Sequence, residues 1–209
     1  MLSAVEAIER LREGNRRYVS GVRGIQSLPS AARRAELTEG QSPFAVVLSC
    51  SDSRVPVEAV FDQGLGDLFV IRVAGNVAAP SQIGSVEFAV QHFGTPLVVV
   101  LGHSRCGAVK ATLEIIRDDG AELPRNLQSI IDLVRPPLEE LLETGASGGA
   151  ETLIKDAVRA NVCSAAKRLH QESGVLGPLV ARGEVVVAGA EYDLHSGEVD
   201  FFHGLPRGG

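Results

Sequence analysis

Phe44-Ala-Val-Val-Leu-Ser-Cys50 is a strand-length run without a charge and without alternation of polar and apolar positions. A strand with one wet face would alternate, so this run reads as a strand covered on both faces, the signature of a parallel sheet under two layers of helices. Residues 68–73, 96–101 and 185–188 repeat the pattern. Between these runs the spacing predicts helices over 84–92, 107–117, 126–142 and 151–172, with Pro136-Pro137 expected to break or restart the third of them. Strands alternating with helices imply an α/β fold: a four-stranded parallel sheet flanked by helices and joined by right-handed crossovers. Residues 146–149 read as a loop. Residues 190–202, around Ser196-Gly197, read as a hairpin that adds an antiparallel edge strand.

Upstream, Val5, Ile8, Leu11 and Tyr18 have helical spacing over residues 3–19, and Gly21 and Gly24 end that segment. A second short helix is expected over 30–38. These pieces are too small for a core of their own, so they form a helical arm (1–38) packed on the α/β core (39–209) or on a partner subunit. A length of 209 residues suits one domain. With 44% hydrophobic and 22% charged residues, the chain is globular rather than disordered. A net charge of −6 with scattered basic residues argues against a nucleic-acid surface. No apolar run approaches the ~20 residues that span a bilayer, and the charged, amphipathic start does not read as a secretory leader. The expectation is a cytoplasmic protein with no membrane partner. Three cysteines, Cys50, Cys106 and Cys163, are an odd number for a disulfide framework, which leaves metal binding or catalysis to consider.

Ligands of open parallel sheets bind beyond the carboxyl ends of the strands. Two strands here end in metal-binding chemistry: the first in Cys50-Ser-Asp52-Ser-Arg54, the third in His103-Ser-Arg-Cys106. Two thiolates, an imidazole and a carboxylate make a plausible tetrahedral zinc site. Either motif alone arises by chance, and a lone Cys50 is most simply a small buried hydrophobe. Both at the ends of apolar strands, with Arg54 and Gly107 attached, are hard to explain as packing. Gly64, Gly66 and Gly75 read as turn formers, since no phosphate-binding glycine motif follows any strand.

Cys50-Ser-Asp-Ser-Arg-Val55 and Gly102-His-Ser-Arg-Cys-Gly107 closely resemble the two zinc-binding motifs of the β-class carbonic anhydrases. Asp62–Phe69, Arg72–Asn76 and Gly84–Val90 are also similar to that family. The resemblance implies Zn2+ held by Cys50, His103 and Cys106, with the fourth position taken by Asp52 or by water. It implies reversible hydration of carbon dioxide to bicarbonate and a proton, with Asp52 captured by Arg54 when water occupies the metal. Gln41, Phe69 and Phe88 match substrate-pocket positions of the plant-like branch, where they come from the neighbouring subunit; Phe88 stands where that branch usually has tyrosine. That implies a homo-oligomer built from dimers. Gly107 would offer a backbone N–H to developing charge, and His92 is the proton-shuttle candidate, with a role-free surface histidine equally open. Phe88 also reads as facing inward from its helix. A bacterial branch places tryptophan three residues before the first cysteine; Val47 is there instead, and Ser49 replaces a glycine, so that branch's second bicarbonate site is expected to be absent. Cys163 reads as an inert buried thiol, and His170, His195 and His203 have no motif behind them. Two rivals stay open: hydrolysis of carbonyl sulfide or carbon disulfide at the same site, and a structural zinc module without turnover.

Overall fold

The computed structural model describes residues 2–25, 30–117, 123–144 and 149–206; 146–148, within the expected loop, lie outside them. Five strands form one sheet: β1 (Ala45–Ser49), β2 (Leu68–Arg72), β3 (Leu97–His103), β4 (Val186–Tyr192) and β5 (Val199–His203). Their order is β2-β1-β3-β4-β5. The first four are parallel, and β5 pairs antiparallel with β4. Every residue of β1 and β3 is buried, which is why neither run alternates.

Alternate residues of those strands feed two separate cores. Val47, Val99 and Leu101 meet α1 (Ala4–Val19) and α3 (Val57–Val60), whereas Val46, Leu48, Val98 and Val100 meet α4 (Pro80–Phe93), α7 (Ala150–Glu172) and α8 (Leu176–Ala181). A third cluster joins α5 (Gly107–Arg117), α6 (Arg125–Glu143) and α7 beyond the carboxyl end of the sheet. α3 and α8, four and six residues long, are too short for periodicity to announce. Among the described residues no helix is long and apolar enough to cross a membrane.

Two expectations are corrected. α6 runs unbroken through Pro136 and Pro137. These residues offer no N–H to the carbonyls of Asp132 and Leu133, but Ile131, Val134 and Leu138 on either side are buried in the same cluster, and that shared face keeps the helix in register. The second concerns Val5, which is exposed; Ala7, Ile8 and Leu11 carry the inward face of α1.

The amino end of α1 is closed by a capping box between Ser3 and Glu6. Its middle is docked through Asn15, whose Nδ2 donates to the carbonyls of Val60 (3.1 Å) and Gly197 (2.9 Å) while its Oδ1 accepts from the Val199 N–H (2.9 Å). One buried side chain therefore ties the arm to α3 and to the β4–β5 turn. α2 (Ala31–Glu36) buries no residue.

Gly14 makes this docking testable, because a Cβ there would lie 1.7 Å from the Phe61 carbonyl oxygen. Alanine normally improves a helix over glycine by about 1 kcal/mol. Here Gly14→Ala is expected to lower unfolding stability by about 1–3 kcal/mol, because backbone rather than a flexible side chain must give way. Urea denaturation measures it, with Val5→Ala as a near-neutral control; a raised midpoint for Gly14→Ala would show that α1 is not seated on Phe61.

Candidate metal centre

From β1 the chain winds outward to β2, then crosses back so that β3 lies on the other side of β1. The winding reverses between β1 and β3, and in an open parallel sheet such a point leaves a crevice beyond the carboxyl ends. Cys50 follows the last residue of β1, and His103 is the last residue of β3. The chain then turns through Arg105, whose φ of 56° is left-handed, and delivers Cys106 immediately before α5.

The ligand atoms of Cys50, His103 and Cys106 all lie within 4.8 Å of one another, and all three residues are buried. His103 Nδ1 lies 3.0 Å from the Ser104 carbonyl oxygen. A carbonyl only accepts, so Nδ1 carries the hydrogen and Nε2 presents its lone pair. Nε2 is itself buried without a hydrogen-bond partner. An orphaned acceptor beside two thiols is costly in a folded protein and is satisfied by a cation with ligands at about 2.0–2.3 Å. The residues therefore fit a metal. The thiols interact: a hydrogen bond from Cys106 holds Cys50 below the ordinary thiol range, and that same bond, with burial, pushes Cys106 up. Backbone N–H groups of Asp52 and Gly75 face Cys50, and those of Ala108 and Val109, in the first turn of α5, face Cys106. These donors stabilise thiolates once a cation replaces the shared proton.

Asp52 stands at the rim, with Oδ2 3.9 Å from His103 Nε2. Arg54 holds it by a two-pronged pair, Nε to Oδ1 at 2.9 Å and Nη2 to Oδ2 at 2.7 Å, and the Arg54 N–H adds 3.0 Å to Oδ1. The guanidinium keeps the Asp52 carboxyl far below the usual carboxylate range. Asp52 is thus paired with Arg54, within reach of the cluster but outside it. Gly107 opens α5 and is exposed.

The carbonic anhydrase family model matches residues 45–199, a span that includes every residue of this cluster. A carbonic anhydrase of Mycolicibacterium smegmatis is 38% identical over 197 residues, covering 94% of this chain and 92% of that protein. The crystal structure of the β-carbonic anhydrase CafA of Aspergillus fumigatus superposes with a TM-score of 0.71 at 30% identity, covering 83% of this chain and 82% of that one. A tetrameric β-carbonic anhydrase of Sordaria macrospora superposes at 0.72, at 22% identity and covering 81% and 85%, and speaks for the fold alone. The chain belongs to the β-carbonic anhydrase family.

The other residues singled out by resemblance to that family lie elsewhere. Gln41 precedes the amino end of β1, and Phe69, second in β2, pairs across from Val46. His92 is near the end of α4, which leads into the amino end of β3. His103 closes β3, so the length of that strand, roughly 20 Å at 3.3 Å per residue, separates the two histidines. Gln41, Phe88 and His92 share a surface cavity of about 720 Å³ with Phe93, and none of the three metal-site residues lines it. Phe88 is corrected from an inward to an outward position: it is 52% exposed, stacked on His92 at 5.2 Å and 6.3 Å from Phe69. Cys163 is half-buried rather than buried.

Two groups around the centre escaped the sequence reading. Arg72, which pairs with Ser49, sends Nε to the Cys50 carbonyl (3.1 Å) and Nη2 to the Asp52 carbonyl (2.7 Å). Ser104 is pinned to the hairpin: its N–H donates to the Tyr192 carbonyl, and its Oγ accepts from the Leu194 N–H, each at 2.9 Å. Both residues lie inside the quoted motifs, but a motif does not say which backbone carbonyl a side chain reaches. Arg72→Gln is expected to weaken metal binding about 10–100-fold, the usual cost of losing a group that orients ligands. Competition against a chromophoric chelator measures it, and affinity equal to the parent chain would remove Arg72 from this role.

Proposed function

We propose that the chain is a zinc enzyme hydrating carbon dioxide reversibly to bicarbonate and a proton, with Cys50, His103 and Cys106 holding the metal. The observation that carries the reading is the buried, partnerless Nε2 of His103 beside two thiols, with Asp52 held off by Arg54 at 3.9 Å. A closed structural site has no need of such a restrained carboxylate, because only a catalytic zinc must keep one position exchangeable. When bound, zinc supplies a Lewis acid that polarises a water, and because two thiolates offset its charge it acidifies that water less than a three-histidine site does.

The chain's own residues then have distinct tasks. Arg54 occupies both oxygens of Asp52 and so keeps the carboxylate from becoming a fourth ligand. Asp52 Oδ2 retains acceptor capacity on the side facing His103, where it accepts a hydrogen bond from the attacking oxygen and so aims that oxygen's lone pair at the carbon. Gly107 offers its N–H to the oxygen that becomes negative. Gln41, Phe69 and Phe88 serve the site of a neighbouring copy, in keeping with their place at the opposite end of the sheet, and His92 relays the proton there. Phe88 supplies an apolar wall without a hydroxyl. The assembly is built from dimers embraced by the 1–38 arm around one 39–209 core, and it works in the cytoplasm.

Stopped-flow hydration of carbon dioxide by zinc-loaded protein tests the reading. Turnover is expected to climb from neutral to alkaline pH, and Cys106→Ser is expected to lose both zinc and at least about 100-fold in rate. A flat profile from neutrality upward would contradict the weakly acidified water. Bound zinc without turnover would shift the reading to carbonyl sulfide or carbon disulfide, or to a structural metal.

Arg54→Ala separates the two roles of Asp52. Freed from the guanidinium, the carboxylate is expected to occupy the exchangeable position, lowering kcat/KM by about 10–100-fold while zinc content stays at one per chain. Arg54→Lys, which cannot bind both oxygens in one plane, should recover part of the rate. Full activity in Arg54→Ala would show that Asp52 is not kept off the metal by this pair.

A further inference from the structure

A cavity of about 1090 Å³, lined by none of the three metal-site residues, lies in a trough bounded by α6, α7 and the start of β4. The β4–β5 ladder stops at Gly189–His203, and just beyond it Gly204 lies against Val187, where a Cβ on the glycine would be 2.2 Å from the Val187 carbonyl oxygen. α7 turns its Val158, Val162, Ala166 and Leu169 to the core. Cys163, Lys167 and His170, spaced i, i+4 and i+7, form a separate stripe that lines the trough. Pro137, Leu141, Val180 and Val187 give it an apolar lining, and His203 stands at the end of β5.

The charge of this trough departs from that of the chain. The protein carries a net −6, yet the trough combines Lys167 with two histidines, and Glu140 is the one carboxylate lining it. Among the described residues Lys167 has no carboxylate within ion-pair distance, Glu140 included. An apolar cavity of small-molecule size with a few convergent polar groups is the usual form of a ligand site.

We propose that this trough binds an amphipathic monocarboxylate, its apolar body against Pro137, Leu141, Val180 and Val187 and its carboxylate at Lys167, flanked by His170 and His203. A ligand of that shape satisfies both features at once: it covers the apolar lining and neutralises an ammonium that no carboxylate among the described residues meets. Cys163, half-buried and lining the trough, becomes inaccessible when the trough is filled.

The test uses Cys163 as reporter in the full-length, zinc-loaded protein, with decanoate as probe and a chromogenic disulfide as thiol reagent. Cys163→Ser identifies the signal. Saturating decanoate is expected to slow modification about tenfold or more, Lys167→Met to weaken half-protection about tenfold, and decanol to protect far less than decanoate, since a charge-assisted contact is lost in both cases. Lys167→Met should leave the thermal midpoint and metal content unchanged. The proposal is overturned by the absence of protection, by equal protection from decanol, or by undiminished protection in Lys167→Met. It is also overturned if Cys163 reacts only after the oligomer is dissociated, because a second copy of the chain would then cover the trough.

Discussion

The parallel ladder between β1 and β3 is the constraint on which the site rests. Val46 to Ser49 pair with Val98 to Leu101, residue for residue, and adjacent strands lie ~4.8 Å apart. Cys50 and His103 are thereby fixed as neighbours before any metal is considered. Because both strands are buried on both faces, neither can slip without moving every side chain into the wrong core. Two hydrophobic layers hold a register, and the register holds two metal-binding side chains side by side.

Beyond the strand end, Cys50 and the Asp52 backbone are held by polar contacts. Turns beyond strand ends expose backbone groups that a buried site leaves without water. Arg72 satisfies the carbonyls of Cys50 and Asp52, and Asn161 of α7 donates to the Gly75 carbonyl at 2.8 Å. The Gly75 N–H in turn faces Cys50. Just before His103, a Cβ on Gly102 would lie 2.5 Å from Val162, so α7 packs almost directly on the strand that ends in the imidazole. Helices remote from the chemistry thus set the positions of sulfur and nitrogen.

The two ends of the sheet hold different sets of the residues that the proposed function uses. The carboxyl end holds the thiols, the imidazole and the Asp52–Arg54 pair. The amino end gathers Gln41, Phe88 and His92 around a separate cavity. Rigid strands keep these two sets apart within one chain, which supports the proposal that the second set serves a neighbouring copy.

Much of this was legible in the sequence, because the signals are local. Uninterrupted apolar runs specify buried parallel strands whatever their order, and Cys50, Asp52, Arg54, His103 and Cys106 announce themselves by type and spacing at strand ends. Local signals also misled. Pro136-Pro137 forbids two helical hydrogen bonds, yet a buried face spanning both sides outweighs them. Helical spacing put Phe88 inward and Val5 on the inner stripe, and both are exposed. Strand order, the reversal of winding between β1 and β3, the reach of Arg72 to two carbonyls and the partnerless Nε2 of His103 belong to the tertiary structure alone. Each depends on residues distant in the chain meeting in space, and periodicity and composition carry no information about which distant residues will meet.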